Sequence, residues 1–98
     1  MITPTDWKKY HAQKVAELSQ ETVTKIVAFL AANLGDQDLI RDAERRDPQE
    51  WWVPYHLHWG MGIRNILRTH GFGEKDLGVD NLDDYYIGLV ELAVCRDE

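Results

Sequence analysis

His56, Gly60 and Arg64 fall at intervals of four along the run His56-Leu57-His58-Trp59-Gly60-Met61-Gly62-Ile63-Arg64-Asn65. On a helix that spacing stacks them on one face, which then offers a titratable ring, a bare stretch of backbone and a permanent cation in one line. The chemistry this allows is capture of a carboxylate or phosphate by Arg64, with Asn65 beside it, while His56 donates or shuttles a proton. A carboxylate from the last helix, Asp84, would complete a small-ligand or hydrolytic site. The two glycines point the same way, because each helix-interior Gly costs about 0.5–1 kcal/mol relative to Ala and so calls for a close neighbour. The rival reading is structural. Gly60 and Gly62 let the last helix cross closely, and Arg64 or Arg68 pairs with Asp83 or Asp84. The structural reading is favoured, since ion pairs of this kind are common outside active sites. The ligand-binding set is therefore His56, Gly60, Arg64, Asn65 and Asp84, and no catalytic residue is assigned.

Metal and thiol chemistry find less support. His56 and His58 project about 200° apart on a helix, so they cannot grip one ion, and no Asp or Glu lies between Tyr55 and Thr69 to add a carboxylate. With His11 and His70 elsewhere in the chain, no metal site and no cofactor are expected. Cys95 is the only cysteine. It cannot form an intramolecular disulfide, which suits a reducing cytoplasm, and its neighbours Ala93-Val94 and Arg96-Asp97-Glu98 give it no base.

Binding through aromatic side chains is the other chemistry on offer. Trp51 and Trp52 are adjacent, diverge by about 100° on a helix and sit between Pro48 and Pro54 beside Tyr55. At least one of these rings is poorly placed for a small core, so Trp51, Trp52 and Tyr55 form the candidate protein interface. The acidic strip Asp36, Asp38, Asp42, Glu44, Asp47 and Glu50, interleaved with Arg41, Arg45 and Arg46, reads as a solvated helix face with local ion pairs.

The elements that must position these groups are helical throughout. A first helix follows Asp6 as N-cap with Trp7, Tyr10, His11, Val15 and Leu18 on one face; Ser19 caps a second, whose stripe Val23, Ile26, Val27, Leu30 and Leu34 ends at Gly35. A polar helix is expected from Asp36 to about Arg46, and a new turn at Asp47-Pro48. Trp59, Ile63, Ile66 and Leu67 keep helical spacing from Tyr55 to about His70, where Gly71 stops them. The stretch Phe72 to Val79 is loop-like with room for one helical turn. Asn81, with Asp84 in a capping box, opens a last helix facing inward through Leu82, Tyr85, Tyr86, Leu89 and Ala93. Period-two alternation bounded by hairpin turns is absent. The expected fold is a single all-α domain over residues 1–98, a compact, irregular bundle of four to five helices.

Composition bounds the job. The 98 residues are 44% hydrophobic and 29% charged, which fits one soluble globular core. Lys and Arg total 11 against 17 Asp and Glu, and the net charge of -6 argues against nucleic acid or an anionic membrane as partner. The longest apolar stretch, Ile26 to Leu34, is too short for a membrane span, and the N-terminus shows no basic region followed by an apolar one, so neither a transmembrane helix nor a secretory leader is expected.

The pattern His56, Gly60, Ile63, Arg64, Asn65, followed by Asp83-Asp84 opening a final apolar helix, resembles a group of small uncharacterised bacterial proteins. The resemblance covers His56 to Leu92 and implies a bacterial, cytoplasmic origin and a shared helix pair, without an activity. Together these readings predict a small acidic cytoplasmic protein acting by protein–protein association, as a homodimer or as an immunity- or antitoxin-like regulator. The small-ligand site on His56 and Arg64 is the alternative.

Overall fold

The computed structural model describes residues 6–95, with Cys95 described by its backbone alone. The Cys95 thiol, the segment 1–5 and residues 96–98 lie outside the description. Among the described residues six α-helices follow one another: α1 Trp7–Ala16, α2 Gln20–Asn33, α3 Gln37–Arg46, α4 Trp59–Thr69, α5 Glu74–Leu77 and α6 Tyr86–Cys95. Short 3-10 turns occupy Val53–Tyr55 and Leu82–Asp84, and no strand occurs among the described residues. The protein is thus an all-α bundle of five helices of at least ten residues, with α5 as the single turn that the loop-like stretch had room for.

Helix α6 is the axis of the bundle. From Tyr85 to Val94 every residue except Leu92 is buried, and the helix packs against α1, α2, α3 and α4. A helix that is apolar all round has no solvent face to spare, and central burial is its stable position. The sequence expectation of a single inward face was therefore too narrow: Ile87, Val90 and Val94 are as buried as Leu89.

The flanking helices begin where their caps place them. Asp6 accepts the Lys9 N–H at 3.0 Å and the Ser19 hydroxyl accepts the Thr22 N–H at 3.2 Å, each satisfying a donor that the first helical turn leaves open. Their buried faces, His11 and Val15 on α1 and Val23, Ile26 and Leu30 on α2, follow the expected spacing. The α2 to α3 turn differs from expectation. Gly35 is not left-handed; the positive φ of 56° falls on Asp36, which consequently makes no side-chain cap to α3.

Two further boundaries differ from expectation. The helix expected from Tyr55 begins regularly only at Trp59, because Pro54 has no N–H to donate and the chain makes a 3-10 turn around it. His56 and His58 nevertheless keep right-handed helical angles, so the four-residue spacing into α4 is preserved. Gly71, at φ 85°, closes α4 while the Phe72 N–H donates to the Leu67 carbonyl at 2.8 Å, the long bond of a Schellman ending. The expected cap and capping box at Asn81 and Asp84 are not formed. Asn81 makes no cap bond, the 3-10 turn intervenes, and the Leu82 N–H turns instead to Glu74 at 3.4 Å. Glu74 is itself clamped by Arg68 at 2.9 and 2.7 Å, which holds its carboxyl down at about 2.

The helix glycines serve different ends. A Cβ on Gly60 would lie 2.3 Å from the Tyr86 hydroxyl oxygen, and one on Gly88 would lie 2.7 Å from the His11 carbonyl, whereas nothing stands within 4 Å of Gly62. Gly60 and Gly88 are thus the close crossings of α4 and α1 on α6, and Gly62, which the sequence had also assigned to a crossing, faces solvent. Overpacking costs about 1–3 kcal/mol, and an exposed helical Gly to Ala change gains up to about 1 kcal/mol. Gly60→Ala is therefore expected to lower the melting temperature and Gly62→Ala to raise it. Equal shifts in thermal denaturation would refute the crossing.

Candidate functional site

The side chains that could do chemistry converge on α6. Tyr86, 1% exposed, carries its hydroxyl into the gap left by Gly60, where it shares a hydrogen bond of 2.7 Å with His56 Nδ1. The two rings stack at 5.9 Å with 19° between their planes. On the ring of Tyr86 lies the guanidinium of Arg64, 5.1 Å from the centroid, and Arg64 Nε forms an ion pair with Asp83 at 3.1 Å. Burial pushes the Tyr86 phenol up to about 12, with the Arg64 charge a smaller opposing influence, so it stays a neutral hydroxyl. The four-residue line His56, Gly60, Arg64 is therefore assembled as one face, and the object it surrounds is Tyr86.

The other members of the expected ligand set lie elsewhere. Asn65 is exposed and accepts from Arg68 Nη1 at 3.0 Å, so it does not extend the Arg64 fork. Asp83, not Asp84, partners Arg64. Asp84 lies on the α1 side, with His56 and His11, around a concavity of about 190 Å³ whose walls include Trp7, Tyr10 and Trp52. Arg64 is 9% exposed and one of its terminal nitrogens, Nη1, is buried without a partner. A guanidinium committed to Asp83 and to the Tyr86 face presents no fork to an incoming anion.

Of the aromatic trio, Trp51 is 2% exposed and presents no surface. Its indole N–H donates to Glu91 Oε2 at 2.9 Å, and this hydrogen bond inside the core is what seats a ring that adjacency alone appeared to strand. Trp52 and Tyr55 are half-buried. Trp52 meets Trp7, His11 and His56 edge-on, and Tyr55 meets Trp59.

Glu91 and His11 are the residues that sequence reasoning passed over. Glu91 is raised to about 7, first by burial, with the Trp51 hydrogen bond opposing. His11, 3% exposed, is lowered by burial, and its Nδ1 has no hydrogen-bond partner. The 3.8 Å between His11 Nδ1 and Glu91 Oε1 is too long for a hydrogen bond. Burial disfavours the charged form of both His11 and Glu91, so the two do not make a fixed ion pair. Glu44, expected on the solvated acidic strip, is also buried and meets Lys8 of α1. A single carboxylate inside the apolar run Tyr85 to Cys95 was the available signal for Glu91; nothing in the sequence pairs it with His11.

The remaining histidines complete the picture. His58 is exposed and His70 lies 4.7 Å from the Phe29 ring. Among the described residues no group of three or more His, Cys, Asp or Glu could hold a metal ion, and no helix is long and apolar enough to cross a membrane.

Two outcomes follow from these burials. Asp83 is 55% exposed and rehydrates when its partner is removed, so Arg64→Met is expected to cost about 1 kcal/mol in urea unfolding, not the 3–5 kcal/mol of a fully buried pair. For Glu91 the folded value lies above the unfolded 4.5, so the folded state binds the extra proton and stability falls as pH rises from 4.5 through about 7. Glu91→Gln keeps an acceptor for Trp51 and removes that loss. It is expected to stabilise the protein by up to about 3 kcal/mol at pH 8 and by little at pH 4.5, measured by urea unfolding at both. Comparison of the chain with protein-family models, curated proteins and solved structures yields no match in any of the three, so function is argued from the geometry.

Proposed function

We propose that this is a small, non-catalytic, cytoplasmic bacterial protein that works by protein–protein association, and that its partner at the surface described here is a second copy of the chain. The observation that carries the reading is the stripe Val53, Leu57 and Met61, exposed by 52%, 71% and 52%. Val53 lies in the 3-10 turn, Leu57 in the turn that follows it and Met61 in the first turn of α4, so the three fall within nine residues of one another on the outer side of this segment. Three large apolar side chains in a row form the kind of patch that marks an interface in a soluble protein.

Charge supports a second copy as the occupant. From Trp51 to Ile63 the chain carries no Asp, Glu, Lys or Arg, although 29% of the whole sequence is charged. Two ridges can therefore meet about a twofold axis without placing like charges opposite one another, and a ridge of this type is self-complementary. The net charge of -6 acts from farther away and is screened beyond about 8 Å at physiological salt. Trp52 and Tyr55 flank the ridge, and Trp51 beneath it serves the core. The small-anion alternative loses ground because Arg64 is committed to Asp83 and Tyr86.

Light scattering after size exclusion is expected to give a mass that rises with concentration above 11.4 kDa. Leu57→Glu should return it to the monomer value while circular dichroism and melting stay unchanged, since Leu57 is the most exposed of the three. A monomer at every concentration, or a dimer indifferent to Leu57→Glu, would overturn the reading.

A further inference from the structure

The concavity beside His56 holds carboxylates among aromatic rings and, unlike the one formed by Asp47, Glu50, Trp51 and Tyr55, has no Lys or Arg in its lining, whereas that one has Arg46. Trp7, Tyr10, Trp52 and His56 contribute rings to its lining, and its volume is about 190 Å³. The rings contact one another in sequence, Tyr10 with Trp7 at 5.7 Å, Trp7 with Trp52 at 5.6 Å and Trp52 with His56 at 5.8 Å, so the wall is continuous. Asp84 also lines this space. Among the described residues its carboxylate has no hydrogen bond or ion pair, in contrast to Asp83, which holds Arg64.

Among the described residues no Lys or Arg lines the pocket. Lys8 is turned to Glu44, and Lys14 to Glu17 and to the outer ring faces of Tyr10 and Tyr85. His11, whose charged form Asp84 favours, is nine-tenths buried with an unpartnered Nδ1, and desolvation, the larger influence, lowers its pKa. An anion would face both Asp83 and Asp84, and a metal ion would lack a third ligand. What remains is an organic cation, which gains from ring faces as well as from the carboxylate.

We infer that this pocket binds one organic ammonium group, carried either by a free amine or by a lysine side chain. Val53, Leu57 and Met61 do not line it, and Trp52 borders both the pocket and the ridge. A carboxylate plus two or three rings supplies the selectivity: a neutral group of the same shape loses the charge attraction, and an inorganic cation loses the ring contacts because it stays hydrated.

The test is a titration of the full chain followed by the indole N–H signals in ¹H–¹⁵N spectra. Trp7 and Trp52 report on the pocket, and Trp51, bonded to Glu91, and Trp59 serve as internal references. Tetramethylammonium, n-butylammonium and Nα-acetyl-lysine methylamide are the probes, with KCl at equal ionic strength and tert-butanol as controls. Saturable shifts confined to Trp7 and Trp52 are expected from the ammonium probes alone. A stronger response to the lysine derivative assigns the group to a protein side chain, and a stronger response to the simple amines assigns it to a free ligand. Asp84→Asn and Trp52→Leu should each weaken binding about tenfold or more, which corresponds to about 1.4 kcal/mol. Should either variant fail to fold, the comparison of tetramethylammonium with tert-butanol on the parent protein still decides. Shifts reproduced by KCl or tert-butanol, no saturable shift at all, or an affinity unchanged in folded Asp84→Asn would overturn the inference.

Discussion

A tyrosine hydroxyl buried at the start of the central helix is the constraint that organises this molecule. Removing the Tyr86 phenol from water without a partner would cost several kcal/mol, so the ring can sit at the axis only if its polar end is met there. His56 meets it at 2.7 Å, Gly60 vacates the space it needs, and Arg64 covers its face. Each of those residues is thereby fixed in place. The irregular segment that carries His56 has no continuous helix of its own to hold it, and its position depends on this contact and on Trp51.

The same logic repeats one turn and more along α6. Trp51 donates to Glu91 as His56 bonds Tyr86 and Arg64 pairs with Asp83. Going forward along the chain from Trp51 to Arg64, the partners run backward from Glu91 to Asp83, so the segment lies antiparallel to α6 and is pinned to it at three polar points. Apolar contacts alone fix such a crossing loosely, because they are non-directional. Two hydrogen bonds and one ion pair at staggered positions fix both register and rotation. The cost is borne at Glu91, whose carboxyl sits in an apolar setting and rises to about 7.

Pinning one side of that segment determines what the other sides can do. With Trp51, Gly60, Ile63 and Arg64 turned to α6, Val53, Leu57 and Met61 are left facing outward, and Trp52 and His56 are left edging the concavity against α1. An apolar ridge and an acidic aromatic pocket are therefore by-products of one packing decision. They adjoin a rigid frame, which suits recognition surfaces better than a mobile loop does.

Much of the fold was legible in the residues. Asp6 and Ser19 announced the first two helices because a cap is a local hydrogen bond, and Gly71 ended α4 because only a residue tolerant of positive φ closes a Schellman turn cheaply. The His56, Gly60, Arg64 face was legible too, since it depends on helical periodicity alone. Boundaries decided by distant partners were not: Asn81 and Asp84 had a capping box in sequence and lost it to the pull of Glu74 on Leu82 and of Arg64 on Asp83.

What the sequence by itself determined was therefore the set of helices and the faces they could offer, because caps, breakers and apolar spacing act within a few residues. The tertiary structure alone decided which groups those faces would meet. Tyr86 as the centre of the site, Glu91 beside His11, Asp83 chosen over Asp84, and Trp51 seated in the core all join residues 19 to 80 positions apart. The energy of such pairings comes from burial and from satisfying a polar atom out of reach of water, and neither exists until the chain has closed around α6.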